Sequence, residues 1–135
     1  MKQDEDAKPT IDSTGKGLGV RDIVVNGVAD IDVDQNGLVV RNQKGMSVAP
    51  TWRDLPIHLI PKRLRSIFPG ARGSSLLYCF VHGEGEFVSG LFAPSLELWV
   101  DDTTHANVIP IADVTVPQYQ SALANTRAGW SVDEL

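Results

Sequence analysis

Short apolar runs cut off by glycine turns hold this chain to a fold built mainly from antiparallel strands. Asn26-Gly27 separates residues 21–25 from residues 28–33, and Asp34-Gln35-Asn36-Gly37 separates that second run from Leu38-Val39-Val40. Asn-Gly between apolar runs is the strongest local hairpin signal, because both central residues of a tight hairpin turn need φ > 0. Together the two turns predict a β-meander. Further on, residues 76–82 and 86–92 read as strands joined by Gly83-Glu84-Gly85. Residues 96–100 put Leu96, Leu98 and Val100 on one face and Glu97 and Trp99 on the other, the period of a half-buried strand. Val108-Ile109 ahead of Pro110 reads as an edge strand, since proline has no N–H for a central ladder.

One helix is expected, near the C-terminus. Thr115-Val116-Pro117-Gln118 has the form of a capping box, with Pro117 in the first turn, where its missing N–H matters least. Val114 and Tyr119 are spaced for a hydrophobic staple. Tyr119, Ala122, Leu123 and Thr126 follow at helical spacing, Gly129 is the expected stop, and Trp130 is expected to fold back onto the core. The middle of the chain is interrupted by prolines: Pro56 and Pro61 bracket an extended piece, residues 62–68 allow one or two helical turns, and Pro69-Gly70 closes them. Residues 1–16 carry Lys2, Asp4, Glu5, Asp6 and Lys8 with no apolar period and read as a disordered polar tail. Residues 17–135 then form a single α+β domain, a curved antiparallel β-core with a C-terminal helix.

At 135 residues the chain suits one domain with a true core, and a net charge of -5 argues against a nucleic-acid binder. The single cysteine, Cys79, lies in an apolar run and reads as buried and inert. No apolar stretch approaches the ~18 residues of a membrane span, and the charged start lacks a secretory signal core. The compartment expected is the cytoplasm, with export by a route that needs no cleavable signal left open.

Candidate chemistry centres on Lys44-Gly45-Met46-Ser47-Val48-Ala49-Pro50, where a turn glycine and a proline bracket a short stiff segment that displays Ser47. Among the histidines, His82 ends a strand and reads as solvated. His58 lies among apolar residues and reads as packed. His105 follows Asp101-Asp102-Thr103-Thr104, where nearby carboxylates suit a binding group. A Ser47, His105 and carboxylate triad can be written, but Ser47 is followed by Val48-Ala49 and lacks the nucleophile elbow of a hydrolase. Asp32-Val33-Asp34-Gln35-Asn36-Gly37 opens like a calcium loop, yet its twelfth position is Gln43 rather than a bidentate glutamate, which favours a plain turn. The scattered histidines do not have the spacing of a zinc site. Lys62, Arg63, Arg65 and Arg72 form a basic cluster that reads as a solvated face, with a phosphate or acidic partner as the other reading.

Gly45-Met46-Ser47-Val48, Leu55-Pro56, the stretch Thr104-His105-Ala106-Asn107-Val108-Ile109-Pro110, and residues 119–130 together resemble a bacterial family of type VI secretion toxins and their small relatives. The resemblance covers residues 21–130. It implies a fold like that of NAD-dependent ADP-ribosyltransferases and NAD as cofactor. Ser47 would match the hydroxyl beside the nicotinamide pocket, next to Met46, and His105 the histidine across the cleft. The toxins begin with a Leu-Tyr-Arg strand whose arginine grips NAD phosphate; this chain lacks that segment, and Arg21 is the nearest substitute. Glu84 and Glu86 are the candidates for the transferase glutamate. The resemblance implies a toxin-like enzyme, with a cognate immunity or partner protein. The alternative is a non-catalytic protein-interaction module on the same scaffold.

Overall fold

A computed structural model describes residues 1–14, 16–21, 29–83 and 86–134. The described residues are mixed α+β: antiparallel sheets and one C-terminal helix. Strands β1 (Met46–Val48), β3 (Gly90–Ala93), β4 (Leu96–Asp102) and β5 (His105–Pro110) form a four-stranded sheet in the order β1-β5-β4-β3. Strands β2 (Phe80–His82) and β6 (Trp130–Val132) pair separately. The expected meander, where it is described, is a tight turn: Val33 bridges Val39, and the Asp34 carboxylate accepts from the Asn36 and Leu38 amides. Gly37 takes φ +77°, which its lack of a Cβ permits. The Asn26-Gly27 turn and residues 22–25 and 28 of the runs beside it lie outside the described residues, and residues 29–33, expected as strand, contribute only the Val33 bridge.

Alternation along β4 and β5 divides the four-stranded sheet into two faces. Met46, Leu96, Leu98, Ala106 and Val108 are buried on one face, together with Leu18, Val20, Ile31 and Val39 from the first third of the chain and Tyr119 and Leu123 from helix α1 (Val116–Ala124). The helix starts as its sequence predicts. Thr115 caps the Gln118 amide while the Gln118 side chain returns to the Thr115 amide, with Pro117 in the first turn. It ends earlier than expected, at Ala124 with Asn125 as cap. Gly129 instead closes a single 3-10 turn (Arg127–Gly129) that leads to the buried Trp130. The Tyr119 hydroxyl ties helix to sheet by donating to the Val108 carbonyl and accepting from the Met46 amide.

A second cluster of Trp52, Ile60, Leu64, Ala71 and Cys79 is wrapped by three single-turn 3-10 helices (Trp52–Asp54, Ile57–Leu59 and Lys62–Leu64). Pro56 and Pro61 sit at the N-caps of the second and third, so each piece runs only one turn before the next proline restricts the chain. Cys79 is buried as expected, and burial pushes its thiol up to about 11.

Several expectations are corrected. β5 is not an edge strand: β1 and β4 flank it, and β1 pairs only as far as Val108, so Pro110 lies past the end of that neighbour. Of residues 76–82 only Phe80–His82 is strand, and of residues 86–92 only the end joins β3, which runs on to Ala93. Residues 1–14, read as tail, are packed. Lys2 bridges Leu77, Ile11 bridges Leu18, Met1 packs on the main core and Pro9 is fully buried. Arg127 binds Asp4 and Asp6, and Lys8 donates to the Ala128 and Trp130 carbonyls. These partners are more than 110 residues away in sequence, beyond any local periodicity.

Candidate functional site

The polar face of the four-stranded sheet carries two of the predicted site residues, Ser47 and His105. On β1, Met46 points into the core and Ser47 points out, and the register sets Ser47 opposite Asn107 and Asn107 opposite Trp99. Two residues from Asn107 on the same strand is His105, and two residues from Trp99 is Glu97, while Asp101 lies in the bulge between Val100 and Asp102 and meets this face through its contact with His105. Ser47, Asn107, Trp99, Glu97 and His105 therefore share one face. Met46 is excluded from that face; its amide is occupied by the Tyr119 hydroxyl at 3.2 Å.

His105 Nδ1 lies 2.8 Å from both carboxylate oxygens of Asp101. Donation from Nδ1–H to Asp101 leaves Nε2 as the acceptor nitrogen of the neutral ring. The pair is brought together by the β4–β5 hairpin, whose turn is held by Asp102. Its carboxylate accepts from the Thr104 amide at 2.8 Å and from the Thr104 hydroxyl, and these bonds hold it below the usual carboxylate range. Ser47 is not hydrogen-bonded to His105. Its hydroxyl donates to the Asn107 side-chain oxygen at 3.3 Å, while the Asn107 amide donates to the Gln43 carbonyl at 2.8 Å. A diagonal position across two strands places Ser47 and His105 about 7–8 Å apart at the backbone. The histidine–carboxylate half of a triad is thus formed, and the serine–histidine half is not.

The remaining predicted residues lie elsewhere. Arg21 is gripped by Asp30, with Nη2 2.9 Å from Oδ1, Nε 3.2 Å from Oδ2 and the Arg21 amide 2.7 Å from Oδ2. Glu84 lies outside the described residues, and Glu86 is exposed. His58, read as packed, is exposed on a single-turn helix. His82, read as solvated, is instead half-buried, its ring centroid 4.5 Å from that of Phe92 and 5.0 Å from that of Trp130. Burial holds its pKa below the usual histidine value. Arg63 of the basic cluster pairs with Glu134, donates to the Ser75 and Leu77 carbonyls and lies over the Tyr78 ring, so it serves the fold. Asp32 of the calcium-like loop pairs with Lys44 at 3.1 Å. Among the described residues, no three acidic, histidine or cysteine side chains are grouped to hold a metal.

Two depressions among the described residues bear on the site. One, of about 460 Å³, is lined by Pro50, Phe87, Val100, Asp101, Asp102 and Thr103 and adjoins the Asp101–His105 pair. The other, about 550 Å³, runs along α1 between Ser95, Pro110, Pro117, Tyr119 and Asn125, and none of the predicted site residues lines it.

Sequence reasoning missed Asn107 as a member of the face and Asp101 as the residue that meets it through His105. The two-residue Thr103-Thr104 loop alone would set Asn107 opposite Val100; a bulge between Val100 and Asp102 shifts the register by one residue and sets Asn107 opposite Trp99 instead. Among the described residues, no helix is long and apolar enough to cross a membrane. No family model, curated protein or solved structure matches this chain.

Proposed function

We propose that this chain is a non-catalytic protein-interaction module whose contact surface is the polar face of the four-stranded sheet. One observation carries the reading: Trp99 stands 39% exposed in the middle of that face, while Trp52 and Trp130 are buried. An exposed tryptophan loses the burial that would stabilise the fold, and large aromatic side chains on open surfaces are the usual anchors of partner recognition. On the neighbouring edge strand Leu91 is 79% exposed and extends the apolar part of the surface. Co-expression with the proteins encoded beside it tests this. Trp99→Ala and Leu91→Ser should each release a co-purifying neighbour without lowering the melting temperature. Retention of that neighbour by both variants, with loss on changing residues in the groove along α1, would place the interface elsewhere.

A second reading, the toxin-like NAD-binding ADP-ribosyltransferase, is favoured by the common face of Ser47 and His105. In it Ser47 and His105 would border the nicotinamide and Arg21 would approach the phosphates once released from Asp30. NAD would then raise the melting temperature of the wild type but not of Ser47→Ala or His105→Ala, and expression of the wild type alone would be toxic. Absence of any NAD effect together with harmless expression removes this reading.

A further inference from the structure

Lysine and arginine are absent from residues 73–126: all 12 lie at positions 2, 8, 16, 21, 41, 44, 53, 62, 63, 65, 72 and 127. That interval contains β2 to β5 and α1, and its acidic residues are Glu84, Glu86, Glu97, Asp101, Asp102 and Asp113. The three-residue β1 adds no charge. The strands of the four-stranded sheet thus carry Glu97, Asp101, Asp102 and His105 as their titratable side chains, with no permanent cation. Glu97 flanks Trp99 on its own strand and face, and Asp101, in the bulge between Val100 and Asp102, lies two residues along on the other side with its carboxylate on His105.

Elsewhere the chain covers aromatic rings with its own arginines. Arg53 lies 4.2 Å from the Trp52 ring centre, and Arg63 lies 4.2 Å from that of Tyr78. Among the described residues no such cation stands over Trp99. An indole face is the best aromatic acceptor for a guanidinium or ammonium group. With carboxylates two residues away on either side, the same spot attracts positive charge electrostatically and repels acidic partners.

We infer that the partner is a basic protein segment, one of whose arginine or lysine side chains stacks on Trp99 between Glu97 and Asp101. This rests on the interaction-module reading and adds the chemistry of the partner. An arginine suits the site better than a lysine, because its flat guanidinium can lie on the indole while its edge donates to a carboxylate.

The test titrates the protein with three labelled octapeptides: alternating Arg-Ser, alternating Glu-Ser, and alternating Val-Ser. Peptide anisotropy is followed at low salt, and the Trp99 indole N–H, assigned with Trp99→Phe, is followed by two-dimensional NMR. The Arg-Ser peptide should bind at least tenfold tighter than the Glu-Ser peptide, shift the Trp99 indole, and weaken several-fold when salt is raised from 20 to 200 mM. Trp99→Leu, which keeps a strand-compatible apolar side chain without the indole, and Glu97→Gln should each weaken it at least threefold. Asp113→Asn, off this face, should not. Binding of the Val-Ser peptide at Trp99 with no preference for Arg-Ser overturns the basic-partner inference and leaves the interaction face standing. Equal Arg-Ser binding by all variants, or no peptide moving the Trp99 indole, overturns both.

Discussion

Removing one oxygen atom, in Tyr119→Phe, tests how the helix is fastened to the sheet. Tyr119 is fully buried; its hydroxyl donates to the Val108 carbonyl of β5 and accepts from the Met46 amide of β1. The phenylalanine ring fills nearly the same volume, so the loss is polar. The buried Met46 N–H loses its acceptor, at a cost of about 1–3 kcal/mol, and the Val108 carbonyl loses one donor, at up to about 1 kcal/mol more. Gly45 adds to the constraint, because a Cβ there would come within 2.3 Å of the Val108 oxygen and 2.8 Å of the Tyr119 oxygen; the segment has little freedom to find another partner. A net loss of about 2–3 kcal/mol is expected. With an unfolding entropy of about 2.1 cal/mol/K per residue, a chain of 135 residues loses about 3.5 °C of melting temperature for each kcal/mol. Scanning calorimetry should therefore place the variant about 7–10 °C below the wild type.

The same group has a pH signature. Desolvation raises the Tyr119 phenol above its ordinary value, chiefly through burial, so the unfolded chain ionises first as pH rises. The associated stability is complete below pH ~10 and is lost as pH climbs beyond it. Tyr119→Phe should be less sensitive over that interval. Tyr78→Phe is the control, because its ring keeps the Arg63 contact; it should melt within about 2 °C of the wild type. If Tyr119→Phe also melts within about 2 °C, the hydroxyl does not tie the helix to the sheet and the reasoning fails.

His82, held below its ordinary pKa by burial against Phe92 and Trp130, must be charged at a loss when the pH falls. Its stability contribution is complete above pH ~6.5 and declines as pH drops through the lower folded value. Melting temperatures between pH 7.5 and 5 should fall less steeply in His82→Phe, and identical slopes would refute this. Thr115→Ala removes the capping box and should lower stability by about 1 kcal/mol, measured by urea unfolding, while Thr115→Ser should retain most of it. Cys79, with its thiol raised to about 11, should react with a disulfide reagent at pH 8 only as fast as the protein unfolds. Full labelling of the native protein within seconds would show that the second cluster opens freely.

The parts of the fold that could be read from sequence are those whose causes are local. The capping box over Thr115 and Gln118 satisfies two orphan amides within one turn of chain, and the Asp34–Gly37 turn is closed by its own aspartate. Leu96, Leu98, Glu97 and Trp99 fall on their expected faces because strand alternation is intrinsic to the backbone. What escaped reading depends on distant partners. The polar run of residues 1–14 looked unable to bury enough surface to order itself, and it is held by Arg127, Leu77 and carbonyls near the other end of the chain. His58 and His82 exchanged their expected environments for the same reason: whether a ring is covered depends on what packs from elsewhere, here Phe92 and Trp130 for His82.

The candidate site follows the same division, and that decides what the Ser47 segment signifies. Its stiffness was legible, since Gly45 and Pro50 bracket a strand of only three residues. Its partner was not, because Ser47 pairs through β5, sixty residues away in sequence, whose own register against β4 is shifted by a bulge. That register gives Ser47 to Asn107 and gives His105 to Asp101, so each side chain is satisfied by a neighbour. Ser47 donates to Asn107 and not to His105, so in this arrangement the carboxylate-paired histidine does not activate the serine. Trp99 is the opposite case: it is placed by the same register, belongs to the same face, and among the described residues has no ring or cation stacked on it. The group left uncovered on that surface is therefore an aromatic ring beside carboxylates, and it is this ring that the proposed recognition of a basic partner rests on.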